Sequence, residues 1–163
     1  GYWSRMAQEH GLDVCGYELA SERRQHAQSM GVKVITELPP PGPHFECIYA
    51  NQVFEHLPDP AATLHDLCAR LVMQGLVYIR VPDGRSIAER LKRSGWSPAL
   101  DAIHPLEHIN CFTRKTLIDM AAGAGLRPVN APPRLNWGSL WGGLKREVAD
   151  RYLTTHVIFR RVS

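Results

Sequence analysis

The apolar positions of this chain fall into short β-prone runs alternating with amphipathic stretches. Two runs near the middle, Phe45 to Ala50 and Leu76 to Val81, are apolar at nearly every position, as in strands buried on both faces of a parallel sheet. Between them apolar residues recur at Leu64, Leu67, Cys68, Leu71 and Val72, a helical stripe that starts after Pro58-Asp59-Pro60. Gly75 is expected to close that helix as a C-terminal cap. Strand, helix and strand joined by short connections predict a βαβ crossover, which implies parallel pairing.

The same alternation runs upstream. Tyr2, Trp3, Met6 and Ala7 mark a helix ended by Gly11, and Asp13 to Leu19 reads as a strand. Ser21 is a candidate N-cap for a helix reaching about Met30, and Val32 to Ile35 is the next strand. Residues 36–44 (TELPPPGPH) are too rich in proline for a helix or an inner strand. Downstream, Gly84 to Arg93 is expected as a short helix with Ile87, Ala88 and Leu91 inward. Ser94 to Cys111 follows as a loop rich in Trp, Pro and His, about the right length for an active-site lid. Thr113 is the expected N-cap of a helix whose inner stripe is Leu117, Ile118, Met120 and Ala121. A strand beginning in GLRPVNAPP, the Trp- and Gly-rich stretch 136–146 and a last strand, Thr155 to Arg161, complete the chain. The sum is an α/β protein, expected as a single domain over 1–163.

Composition narrows the classes. At 163 residues, 44% hydrophobic and 21% charged, the chain is long enough to bury a core. No apolar run approaches the roughly 20 residues of a membrane span. The net charge of +3 is spread out apart from Arg23-Arg24 and Arg160-Arg161, so nucleic-acid binding is not expected. The four cysteines, Cys15, Cys47, Cys68 and Cys111, form no C-x-x-C pair. Cys15 and Cys47 are expected to pack as small hydrophobes, and this usage suits a reducing cytoplasm.

Candidate chemistry gathers at strand ends, where open α/β sheets bind ligands. Glu18 ends one strand, and Asn51-Gln52 lie just beyond another. His104 and His108 stand four apart with Glu107 between them, a spacing that would put both on one face of a helix. Pro105 argues against that helix, and no metal is expected.

NQVFEHLPDP (51–60), then a helix, Gly75 and LVYIRVPD, closely resembles the middle of class I S-adenosylmethionine-dependent methyltransferases. The likeness is greatest to the ubiquinone-biosynthesis-like and methyltransferase type 11 and 23 groups. HPLEHINCFTRKTL (104–117) resembles a segment that recurs in the same groups, where metal is not the rule. The resemblance covers most of the chain, is specific for the superfamily and is nearly silent about the substrate.

It implies a Rossmann-like open twisted sheet, mostly parallel with an antiparallel carboxyl-terminal edge strand. It also implies S-adenosylmethionine as cofactor and a small-molecule methyl acceptor. By the same likeness Glu18 accepts hydrogen bonds from the ribose hydroxyls, with Leu19 beside it, and Glu37 lies near the adenine. Asn51, Gln52 and His56 border the methionine end, and His104 and His108 are candidates for substrate contact or base. The family's first strand and its glycine-rich turn are expected to be missing, with Gly1 the last glycine of that turn. An amino-terminally truncated, non-catalytic binding module is therefore the alternative. A nicotinamide dehydrogenase would need a G-x-G-x-x-G that the chain lacks.

Overall fold

The computed structural model describes residues 1–95, 97, 102–104, 107–129 and 154–163. The Trp-rich stretch 136–146 lies outside them. The chain divides into two compact units, Gly1–Pro40 and Pro41–Ser163, and the break falls inside the proline-rich connection.

In the first unit, α1 (Tyr2–Glu9), β1 (Cys15–Tyr17), α2 (Ser21–Ser29) and β2 (Lys33–Ile35) follow the expected order. β1 and β2 pair in parallel, with Cys15 opposite Lys33 and Tyr17 opposite Ile35. Both helices give way to a glycine in the left-handed region, Gly11 at φ +81° and Gly31 at φ +77°, where any side chain would be strained. Ser21 is the first residue of α2, and the N-cap is Ala20, which offers no side-chain acceptor. Of the apolar stripe on α1 only Ala7 is buried, while Tyr2, Trp3 and Met6 are exposed.

The second unit is built on a four-stranded sheet ordered β3-β4-β6-β5. β3 (Phe45–Asn51) and β4 (Leu71–Pro82) are parallel and joined by α3 (Pro60–Cys68), the expected crossover. The Asp59 carboxylate caps α3 by accepting from Ala62 N at 2.8 Å, and Pro60 sits in the first turn, where its missing N–H has no intrahelical partner to lose. β6 (Thr154–Arg161) runs antiparallel to β4 on one side and to β5 (Leu126–Val129) on the other. The antiparallel carboxyl-terminal strand thus lies one place inside the margin, with β5 outside it.

Three local expectations are corrected. The helix stops at Cys68, so Leu71 and Val72 open β4 and Gly75 is not a helix cap. Phe45 pairs with Leu71 but Cys47 with Leu76, so β4 holds extra residues that bulge out, Gln74 among them at φ +65°. A Cβ on Gly75 would lie 2.9 Å from Val72 O and 3.1 Å from Glu46 O, so close backbone approach requires the glycine there.

The second correction concerns α4, which covers only Ile87–Arg90. Ile87 is buried, Ala88 is exposed and Leu91 is 61% exposed, because so short a helix turns only one position inward. Third, Cys47 is exposed, on a strand that among the described residues pairs with β4 alone, and Cys15 is only partly covered. Cys68 is the buried cysteine.

α5 (Arg114–Gly123) starts as expected. Thr113 Oγ1 accepts from Thr116 N, and Thr116 Oγ1 accepts from Thr113 N at 2.9 Å, a reciprocal cap. Its Leu117 and Ala121 are buried, with Ile118 and Met120 packed against them. They join Phe54, Leu64, Leu71, Val77, Ile79, Val81, Leu126, Val157 and Phe159 in one core, on which the loops after β3 and before α5 rest. No helix among the described residues is long and apolar enough to cross a membrane.

Candidate functional site

The first unit contains a cavity of about 490 Å³. Gly1 and Tyr2, from the amino end of α1, line it together with Tyr17 and Glu18 at the carboxyl end of β1. Val32 and Val34 supply apolar wall, and His26 and Ala27 of α2 complete it. Helix amino ends carry unsatisfied N–H groups and strand ends present side chains to ligands, so this placement suits a polar ligand with an apolar body. Glu18 Oε1 accepts from Ala20 N at 2.9 Å, which holds the carboxylate in a tight turn at the strand end. Gly1 is close-packed: a Cβ there would run into Met30 and Ala27. Leu19, 66% exposed, and Glu37, also exposed, do not line this cavity.

In the second unit, Asn51 is the last residue of β3 and is exposed. Gln52 follows at φ +56°, and its N–H donates to Arg80 O at 2.9 Å. A non-glycine residue held in the left-handed region at a strand's carboxyl end stores about 1–2 kcal/mol of strain, a cost often found at functional positions. The chain then enters a single 3-10 turn, Phe54–His56. Phe54 goes into the core, Glu55 is buried beside it, and His56 stays about 40% exposed along its side chain.

The EHL and HIN segments of the sequence meet here. Ile109 N and Asn110 N both donate to Glu55 O, at 2.9 and 3.0 Å. Asn110 Nδ2 donates to Leu57 O at 2.6 Å and to Phe54 O at 3.4 Å. His56 Nδ1 lies 2.8 Å from Glu107 O; a carbonyl only accepts, so Nδ1 carries a proton, which in the neutral ring leaves the lone pair on Nε2. The His56 and His108 rings meet edge to face with centroids 4.9 Å apart, and His104 and His108 lie at 5.6 Å. His108 N also donates to His104 O at 3.0 Å, a helical-turn bond that the reading of Pro105 did not anticipate. The two candidate histidines and His56 thus form one cluster. His104 Nδ1 lies 3.3 Å from Glu107 Oε2.

Glu55 was not among the expected site residues, yet it is the most deeply buried charge-bearing group described, at 1% exposure. Burial pushes its carboxyl above the ordinary value of 4.5, opposed by its own backbone hydrogen bond and by His56 and His108. The available signal was its place in an E-H pair whose downstream partner, H-I-N, lies over fifty residues away.

A family model described as a methyltransferase domain matches residues 1–131. No curated protein matches the chain in sequence. Among solved structures, an S-adenosylmethionine-dependent methyltransferase from Mesorhizobium loti aligns with TM-score 0.70 and 18% identity, over 99% of this chain and 86% of its own. A putative one from Listeria monocytogenes gives 0.68 at 12% identity, over 100% and 87%. The 1,6-didemethyltoxoflavin-N1-methyltransferase of Burkholderia thailandensis, solved with 1,6-didemethyltoxoflavin and S-adenosylhomocysteine, gives 0.61 at 20%, over 96% and 64%. At such identities the structures speak for the fold, whereas the family model spans most of the sequence. The chain belongs to the methyltransferase-domain family.

Proposed function

We propose that this domain transfers the methyl group of S-adenosylmethionine to a small-molecule acceptor in the cytoplasm. The observation that carries the reading is the cavity at the carboxyl end of β1, with Glu18 at its wall and the amino end of α1 beside it. Bound there, the cofactor supplies a methyl carbon already activated on a sulfonium. The protein's task is then alignment and proton management.

Glu18 is assigned to the ribose. An ionised carboxylate is acceptor-only and takes two hydroxyl donors at once, while Ala20 N holds one of its oxygens in place. Gly1 lines the same cavity, and Leu19 and Glu37 are proposed beside the ribose and near the adenine, respectively. Asn51, Gln52 and His56 are proposed for the methionine end on the family resemblance alone. His104 and His108 are assigned to the acceptor, where one of them would take its proton as the nucleophile's lone pair bonds to the methyl carbon and the carbon–sulfur bond breaks, its electron pair leaving with the thioether S-adenosylhomocysteine. A small-molecule acceptor is supported by the Burkholderia neighbour, which was solved with such a molecule in place.

The test is calorimetric titration with S-adenosylhomocysteine. Binding in the micromolar range, weakened about tenfold or more by Glu18→Ala (~1.4 kcal/mol or more), is expected. Absence of binding by the native chain would overturn the reading and leave a non-catalytic binding module.

A further inference from the structure

We propose that Glu55, His56 and His108 form a binding site for a divalent transition-metal ion, with Zn²⁺ the ion their chemistry favours. One ligating atom from each lies within 4.8 Å of the others. The cluster belongs to the second unit alone, and the inference does not depend on the cofactor cavity.

Three observations carry it. First, Glu55 is buried, yet neither Oε1 nor Oε2 accepts a hydrogen bond from any other described residue. Buried carboxylate oxygens are normally satisfied, because each unpartnered one forfeits its hydration with nothing in return. Two such oxygens on one side chain call for a cation or a proton.

Second, the neighbouring imidazole cannot supply that proton as it stands. In the neutral ring, with Nδ1–H committed to Glu107 O at 2.8 Å, Nε2 presents a lone pair 3.9 Å from Glu55 Oε1. Acceptor thus faces acceptor, an arrangement that a cation between them resolves. A histidine whose other nitrogen donates to a backbone carbonyl is also the usual outer arrangement of a metal ligand, since that bond fixes the tautomer and aims the ligating nitrogen.

Third, the backbone holding the cluster is fixed before any ion arrives. Glu55 O takes hydrogen bonds from Ile109 N and Asn110 N, and Asn110 Nδ2 ties down Leu57 O and Phe54 O. Both segments of the site, 54–57 and 107–110, are thereby stitched together. Such stitching is what a site needs in order to bind without a large ordering penalty.

The donor set narrows the ion. Two imidazole nitrogens and one carboxylate oxygen suit Zn²⁺ better than Mg²⁺ or Ca²⁺, which prefer oxygen. Tetrahedral ligands at about 2.0–2.2 Å lie about 3.4 Å apart. Closing from the present spacing needs side-chain movement on the order of an ångström. Three protein ligands leave one position for water or for an oxygen or nitrogen of a bound molecule.

The test is titration of the full chain with Zn²⁺ alone, followed by calorimetry, with Glu55→Gln and His108→Asn beside it. Glu55→Gln keeps the shape and a neutral polar group, so folding should survive; circular dichroism checks this. One Zn²⁺ per chain is expected, weakened at least a hundredfold in each variant. Co²⁺ as a second probe should give a visible ligand-field spectrum in the native chain and none in Glu55→Gln. Absence of Zn²⁺ binding would overturn the proposal and leave Glu55 as a protonated buried acid. Binding left intact by both substitutions would overturn it too, since the ion would then sit on other side chains.

Discussion

Asn110 offers the sharpest test of how the site is held. Its Nδ2 sits between two backbone carbonyls, Leu57 O at 2.6 Å and Phe54 O at 3.4 Å. Both partners accept only, so the amide nitrogen must face them. Asn110→Ala removes two donated hydrogen bonds, one short and one at the long end of the range. The first is worth about 1 kcal/mol net and the second less. A carbonyl left partly buried and unpaired adds about 1 kcal/mol or more. We expect a loss of about 2–3 kcal/mol in unfolding free energy, read from urea denaturation with an unchanged m-value. Asn110→Asp should cost at least as much, because it turns a carboxylate oxygen toward two carbonyl oxygens. The same lesion should weaken Zn²⁺ binding, since segments 54–57 and 107–110 would no longer be held in register. A loss below about 0.5 kcal/mol for Asn110→Ala would refute the view that this side chain clamps the site.

Two further outcomes follow from the packing. Gly75→Ala places a methyl 2.9 Å from Val72 O and 3.1 Å from Glu46 O, and should cost about 1–3 kcal/mol in the same denaturation experiment; a neutral or stabilising result would refute the bulge. Burial pushes the Cys68 thiol from 9.0 up to about 11, opposed by the nearby Arg161. The raised folded value means that stability is fully present below pH 9 and is lost as pH rises toward 11, by roughly 2–3 kcal/mol. Denaturation midpoints should show that decline in the native chain and not in Cys68→Ala.

Much of the architecture was legible because it is written in local periodicity. The run FECIYAN became β3, LVYIRVP the body of β4, and the stripe at Leu64 and Cys68 became the buried face of α3. Pro58-Asp59-Pro60 marked where α3 starts, and Thr113 announced a helix start through short-range capping chemistry, with its cap present. The family was legible for a similar reason: NQVFEHLPDP and HINCF are contiguous strings.

What failed was decided by neighbours distant in sequence. Leu71 and Val72 continue the helical stripe on paper, but β3 draws them into β4, and only the close pass of Glu46 O explains Gly75. Cys47 reads as a core residue until the strand order leaves β3 paired on one side. β6 reads as a last, outer strand until β5 is found beyond it.

The candidate site divides along the same line. The sequence by itself determined which chemistry the chain carries: a strand-ending glutamate, an Asn-Gln pair at a strand exit and an unusual density of histidine around residue 104. It could not bring Glu55 and His56 against His108, because that meeting joins segments about fifty residues apart through backbone hydrogen bonds from Ile109 and Asn110. Local propensity sets where helices and strands start and stop. Only the closed core, by burying Phe54 and carrying Glu55 in with it, decides that a polar pair on a loop becomes a buried acid facing two imidazoles.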